Sequence, residues 1–173
     1  MKLLPQHRTG IQRDGLQDLI DDLPSGLVMV EIGCFSGESA EMFLQSGKIN
    51  KLYGIDSWSP SYTSKCSMQD VEGAFDVVQA RHKGKIIKLK GVIDDYINEL
   101  LDIDFAYIDG DHSYGFVKND IQKTLTKLKP NGFISGHDYN HPGVRGAVNE
   151  VLGLPDKIYE DFSWVFWNVL KIK

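Results

Sequence analysis

The sequence predicts an α/β fold, a doubly wound, mostly parallel sheet with helices on both faces, and three observations point to it. Short apolar runs alternate with amphipathic stretches along the chain. The run over 103–108 is almost continuously apolar, as in a strand covered on both faces. Polar clusters follow strand-like runs at 31–37, at Asp56, at 109–112 and at 137–138. In open α/β sheets ligands lie beyond the carboxyl ends of the strands, so four such clusters describe one crevice.

The elements follow in order. Leu16, Leu19, Ile20 and Leu23 recur at helical spacing and predict a helix over 11–23, ended by Pro24-Ser25-Gly26. Residues 27–32 form the first strand and 38–45 the helix after it, stopped near Gly47. Residues 51–55 form a second strand ending at Asp56. Residues 57–67 are serine-rich, without periodicity, and read as a loop. Val71, Phe75 and Val78 mark a helix, 85–89 a third strand and 92–101 a further helix. After the strand at 103–108, Val117, Ile121, Leu125 and Leu128 make a helical stripe ended by Pro130-Asn131-Gly132. Phe133-Ile134-Ser135 is a fifth strand, and Val144, Val148 and Val151 predict another helix. Residues 157–160 and 164–170 read as a closing hairpin, with Trp164, Phe166 and Trp167 packing the last strand. There is no repeat or linker. A single domain over 1–173 is expected, with 1–26 as an N-terminal helical segment.

Composition narrows the class of function. Of 173 residues, 42% are hydrophobic and 25% charged, as in ordinary globular proteins. The net charge of −5 and scattered basic residues argue against a nucleic-acid surface. Two cysteines, Cys34 and Cys66, give no disulfide framework. Residues 1–10 lack the apolar core of a secretory leader, and no run approaches membrane-spanning length. The expectation is a cytoplasmic protein with no membrane partner, its oligomeric state open to a homo-oligomer.

The first turn carries the most information. Val30-Glu31-Ile32-Gly33-Cys34-Phe35-Ser36-Gly37-Glu38-Ser39 takes a strand through a glycine turn into a helix. The glycines permit a tight turn and close backbone approach to a ligand. Dinucleotide sites use Gly-x-Gly-x-x-Gly with the pyrophosphate on the helix N-terminus. Here Glu31 precedes the turn, and a carboxylate there repels a pyrophosphate but suits the ammonium of S-adenosylmethionine (SAM). This turn resembles the first motif of class I SAM-dependent methyltransferases. Gly33, Cys34, Phe35, Ser36, Gly37 and Ser39 are then cofactor-binding candidates, Cys34 and Phe35 through backbone. Asp56, about 20 residues on, is placed to accept both hydroxyls of a ribose. Ser57 and Trp58 follow it, the indole either covering adenine or ribose or packing under the loop; Gly91 and Val92 fall where adenine lies in such folds. No base is evident beside Cys34 to make it reactive.

The second cluster carries the chemistry. Asp109 and His112 are three apart in a turn and can converge, while His137 and Asp138 end the neighbouring strand. Asp109, His137 and Asp138 form a candidate metal site, where a divalent ion would bind a substrate hydroxyl and lower its pKa. His112 is suited to take the proton near neutral pH. The runs Tyr107-Ile108-Asp109-Gly110-Asp111-His112-Ser113-Tyr114 and Lys129-Pro130-Asn131-Gly132-Phe133-Ile134-Ser135-Gly136-His137-Asp138-Tyr139 resemble metal-dependent small-molecule O-methyltransferases, the family that includes macrolide-sugar O-methyltransferases. Val117, Asp120 and the run 143–148 continue the likeness, which spans roughly 27–152. The resemblance implies a Rossmann-like seven-stranded sheet with an antiparallel last strand and methyl transfer from SAM to a small-molecule hydroxyl. It also implies a divalent metal at Asp109 and at the positions of His137 and Asp138, and proton removal by His112.

His137 departs from that pattern, because many relatives carry an oxygen ligand there. Imidazole suits transition metals better than magnesium, so three readings stay open: a transition metal in place of magnesium, His137 standing behind the ligands or binding substrate, or no metal, with Asp111 as an alternative ligand. His141-Pro142-Gly143 reads as a turn, and the 57–67 loop, with Tyr62 and Met68, as a lid. Two other functions compete: a non-catalytic SAM-binding protein, and a metal-dependent phosphoesterase, which lacks the Asp-x-His its first strand needs.

Overall fold

A computed structural model describes residues 10–59 and 67–169. In chain order the elements are α1 (Ile11–Asp22), β1 (Leu27–Ile32), α2 (Glu38–Gln45), β2 (Ile49–Asp56), α3 (Met68–Arg81), β3 (Ile86–Lys90), α4 (Ile93–Tyr96), β4 (Ile103–Ile108), α5 (Tyr114–Leu125), β5 (Leu128–Gly136), α6 (Pro142–Val151), β6 (Lys157–Ile158) and β7 (Trp164–Phe166). They build one seven-stranded sheet in the order β3-β2-β1-β4-β5-β7-β6. β1 through β5 pair in parallel; β7 runs antiparallel to both neighbours. This is the doubly wound, Rossmann-like sheet with an antiparallel last strand that the sequence predicts.

Strand alternation divides the core. Leu27 and Met29 of β1 face one side with Leu16, Leu19 and Ile20 of α1, Phe43 of α2 and Phe75 of α3. Val30 and Ile32 face the other with Ile93 of α4, Val117 and Ile121 of α5, and Val144 and Val148 of α6. The winding reverses between β1 and β4, so their carboxyl ends open at the switch point where such sheets bind ligands.

The structure moves several boundaries. α4 spans Ile93–Tyr96 and not the predicted 92–101: Ile93 and Leu100 are buried and Tyr96 and Ile97 only partly so, while Leu101 is exposed. α5 ends at Leu125, and Leu128 opens β5 instead of closing the helix. Pro130-Asn131-Gly132 is a bulge within β5: Ile103 pairs with Leu128 and Phe105 with Phe133, so the extra residues loop out. The closing hairpin is shorter than read, with β6 confined to Lys157–Ile158 and β7 to Trp164–Phe166. Most of the 57–67 loop, including Tyr62 and Cys66, lies outside the described residues. No helix among the described residues is long and apolar enough to cross a membrane.

Candidate active site

A row of backbone hydrogen bonds aligns the strand ends. Gly33 N–H donates to the Ile55 carbonyl, Asp109 N–H to Ile32, His137 N–H to Ile108 and Gly91 N–H to Asp56, all at 2.8–3.0 Å. The four polar clusters are thereby held on one edge. Among the described residues, every non-glycine residue with positive φ lies at this edge: Phe35, Trp58, Asp138 and Phe162. Each costs roughly 1–3 kcal/mol, and such strain gathers where a fold must present particular groups.

The glycine turn touches the chemical half directly. Gly33 has φ +90°, and a Cβ there would overlap the carbonyl of Asp109 and stand 2.6 Å from Gly110 Cα. The β1 and β4 turns are therefore in backbone contact. Glu31 sits on the same strand face as Met29, is 0% exposed, and accepts a hydrogen bond from the Ser39 hydroxyl in the first turn of α2. Its carboxylate thus lies beneath the turn, against Ser39. Cys34 is buried, its thiol pointing to the carbonyls of Glu31 and Ile55, and burial pushes its pKa well up. The thiol stays neutral and unreactive.

Asp56 ties this turn to the next one. One carboxylate oxygen accepts from Phe35 N–H at 2.8 Å and the other from Trp58 N–H at 2.7 Å. Burial raises its pKa, and the two amides pull the other way. A carboxylate offers about four acceptor positions, so each oxygen keeps a lone pair for a further hydroxyl. Trp58 is 2% exposed, donates its indole N–H to the Phe35 carbonyl, and packs on Phe75 with ring centroids 5.1 Å apart. Its indole is thus held against Phe75 and the Phe35 backbone. Ser36 is half-buried and Ser57 exposed; across the same edge Val92 exposes its side chain beside Gly91 while its N–H donates to Asp95.

The second cluster converges more tightly. His112 Nε2 lies 2.9 Å from Asp138 Oδ2, and His137 Nδ1 lies 3.1 Å from the same oxygen and 3.8 Å from Asp109 Oδ1. Burial alone would raise the Asp138 pKa; hydrogen bonds from His112 and His137 outweigh it and hold the carboxyl well below the usual carboxylate range. The hydrogen bond to Asp138 holds His112 above its ordinary value, with partial burial opposing it. Asp109, His137 and Asp138 are the three acidic or imidazole residues, among the described ones, whose ligand atoms all come within 4.8 Å of one another. Neighbouring ligands about 2.1 Å from an octahedral ion stand about 3.0 Å apart, so the cluster fits a small divalent cation after a slight contraction. Asp111 is not drawn in: it is exposed and accepts from Ser113 N–H at 2.7 Å.

Two residues have roles that the sequence reading does not assign, His141 being read there only as part of a turn. His141 caps α6 by accepting from Gly143 N–H, and its ring lies 5.4 Å from that of His112. Asp161, in the turn between β6 and β7, is 3% exposed and stands 3.6 Å behind His137 Nε2. Pro142 at the first helical position was a legible helix-start signal beside the first. Nothing local marks the second.

A methyltransferase-domain family matches the chain over residues 30–139, the stretch from the glycine turn through His137 and Asp138. The chain belongs to this methyltransferase-domain family. A curated relative, an uncharacterized protein of Acanthamoeba polyphaga mimivirus, is 31% identical over 136 residues, covering 73% of this chain and 59% of the relative. The chain thus spans about three-fifths of that relative's length. The solved structures agree on the fold. Precorrin 8w decarboxylase of Methanobacterium thermoautotrophicum superposes with TM-score 0.63 at 19% identity, covering 84% of this chain and 73% of that one. The O-methyltransferase TomG of Streptomyces achromogenes, involved in tomaymycin synthesis and determined with SAM, gives TM-score 0.61 at 14% identity, covering 94% and 80%. In this methyltransferase domain the matched segment holds the glycine turn, Asp56 and the Asp109-His112-His137-Asp138 cluster, but stops short of Asp161.

Proposed function

We propose that the chain transfers a methyl group from SAM to a hydroxyl of a small molecule, with His112 as the base and a divalent cation held by Asp109, His137 and Asp138. The observation that carries this is the meeting of His112, His137 and Asp138 within 3.1 Å at the end of β5, one backbone contact from the glycine turn.

In this reading the turn formed by Gly33, Cys34, Phe35, Ser36, Gly37 and Ser39 holds the amino-acid end of SAM. Glu31 supplies negative charge from beneath it. The spare lone pairs of Asp56 accept the ribose hydroxyls, with Ser57 and the buried Trp58 beside it, and Gly91 and Val92 flank the adenine. The sulfonium already activates the methyl carbon, so the protein aligns an oxygen, removes a proton and excludes water. A divalent ion bound by Asp109, His137 and Asp138 would lower the pKa of the acceptor hydroxyl. His112 takes the released proton, and Asp138 receives the resulting imidazolium in the 2.9 Å contact that already joins them. His112 must be neutral to do so, and its raised pKa shifts the active form toward higher pH than an unperturbed imidazole would need.

The rim supports a partly apolar acceptor. Phe162 is exposed beside Asp161, its carbonyl accepting from Tyr139 N–H, while Tyr114 and Phe116 are exposed in the first turn of α5, just past His112. A panel of phenols, sugars and natural-product alcohols, assayed for S-adenosylhomocysteine, tests the proposal. Product formation with a hydroxyl compound supports it; phosphatase activity without SAM binding would point to the competing phosphoesterase.

A further inference from the structure

Asp161 lies beyond the family match and outside every motif in the sequence. Its Oδ1 accepts from Ser163 N–H and its Oδ2 from the Ser163 hydroxyl, both at 2.9 Å, which leaves Oδ2 facing His137 Nε2. The opposite ring nitrogen, Nδ1, faces Asp138 and Asp109. His137 is therefore an imidazole with two carboxylates in front and one behind. Without a cation the shorter contact, Nδ1 to Asp138 at 3.1 Å, takes the ring proton; a cation bound in front needs Nδ1 bare, and the carboxylate 3.6 Å behind Nε2 then favours the single N–H there.

The fold grips this arrangement from two sides. The Trp164 indole donates to the His137 carbonyl at 3.1 Å, fixing the backbone. α1 closes over the hairpin turn: a Cβ at Gly15 would fall 2.7 Å from Asp161 Cβ, so a residue without one is needed there. Asp22, at the end of α1, takes Lys157 Nζ at 2.6 Å and the Tyr159 hydroxyl at 2.8 Å.

We propose that Asp161 is the positioning residue that fixes His137 as an Nδ1 donor and so tunes the cluster toward a transition-metal ion over magnesium. This rests on the metal reading of the site given above. Magnesium prefers an all-oxygen shell, whereas a fixed imidazole nitrogen favours manganese, iron, cobalt or zinc. Asp161→Asn is the informative change. Ser163 N–H requires an oxygen at the Oδ1 position, so the new amide nitrogen must occupy the Oδ2 position and donate to His137 Nε2. The ring proton then stays on Nδ1, and no lone pair is offered to a cation.

Calorimetry of metal-free protein with Mn2+ and with Mg2+, and pulsed EPR of the Mn2+-loaded protein, test this. Wild type is expected to bind Mn2+ more tightly than Mg2+ and to show coupling to a directly bound imidazole nitrogen. Asp161→Asn is expected to lose that coupling and about 10–100-fold in Mn2+ affinity, with a smaller change for Mg2+ and unchanged SAM affinity. Mn2+ bound to wild type without nitrogen coupling overturns the inference whether or not the variant folds, and so does a variant with unaltered coupling and affinity; both leave the metal site standing. A wild type that binds SAM but neither ion overturns the metal site itself, and this inference with it.

Discussion

Asp120 offers the sharpest test of how the turn bearing Asp109 and His112 is supported. It projects from α5 beneath that turn, with Oδ2 3.8 Å from where a Cβ of Gly110 would lie. Burial pushes its carboxyl up to about 7 from 3.8, with the charges of Asp94 and Asp111 adding to the rise. The folded state thus holds this proton more tightly than the unfolded chain. The contribution to stability is fully present below pH 3.8 and is lost as pH rises toward about 7, beyond which it is constant. At about 1.4 kcal/mol per pH unit the interval is worth roughly 4 kcal/mol in all, of which roughly 2.5 kcal/mol falls between pH 5 and pH 8. Asp120→Asn keeps the shape and removes the titration. Urea unfolding of both proteins at pH 5 and pH 8 should show the variant gaining roughly 2.5 kcal/mol on wild type between the two pH values. The cost of burying the amide itself is independent of pH and cancels in this comparison. A stability difference that is the same at both pH values refutes the reasoning.

Three further outcomes follow from the site. Gly33→Ala adds a Cβ to a φ of +90° and drives it into the Asp109 carbonyl, which should cost about 2–5 kcal/mol of stability in urea unfolding and abolish SAM binding by calorimetry. His112→Ala should slow turnover about 10²–10⁴-fold while leaving the SAM dissociation constant unchanged within experimental scatter, and unaffected turnover removes His112 as the base. Titration with a chelator should extinguish methyl transfer, with activity restored by added divalent ion; activity that survives complete metal removal contradicts a metal at Asp109, His137 and Asp138.

Local signals carried much of the architecture. β1, α2 and β4 fall on their predicted bounds because each is an apolar or amphipathic run flanked by turn residues. The join of α5 and β5 was misread because Leu128 sits in helical register with Leu125 and Ile121, and Pro130-Asn131-Gly132 stops a helix as readily as it forms a bulge. Only pairing with Ile103 and Phe105 decides between them, and that is tertiary information. The same limit governs the site. Strand ends located Glu31, Asp56, Asp109 and His137, but the parity that puts Glu31 on the Met29 face, against Ser39, becomes informative only once α2 is known to cover that face. Asp161 reaches His137 through the antiparallel pairing of Gly136 with Trp164, a contact no spacing in the chain records.

The most direct measurement is calorimetric titration of the full chain with SAM and, separately, with NAD. The account predicts one SAM per chain, binding weakened by Asp56→Ala, and no heat from NAD. Tight NAD binding with SAM inert would contradict it.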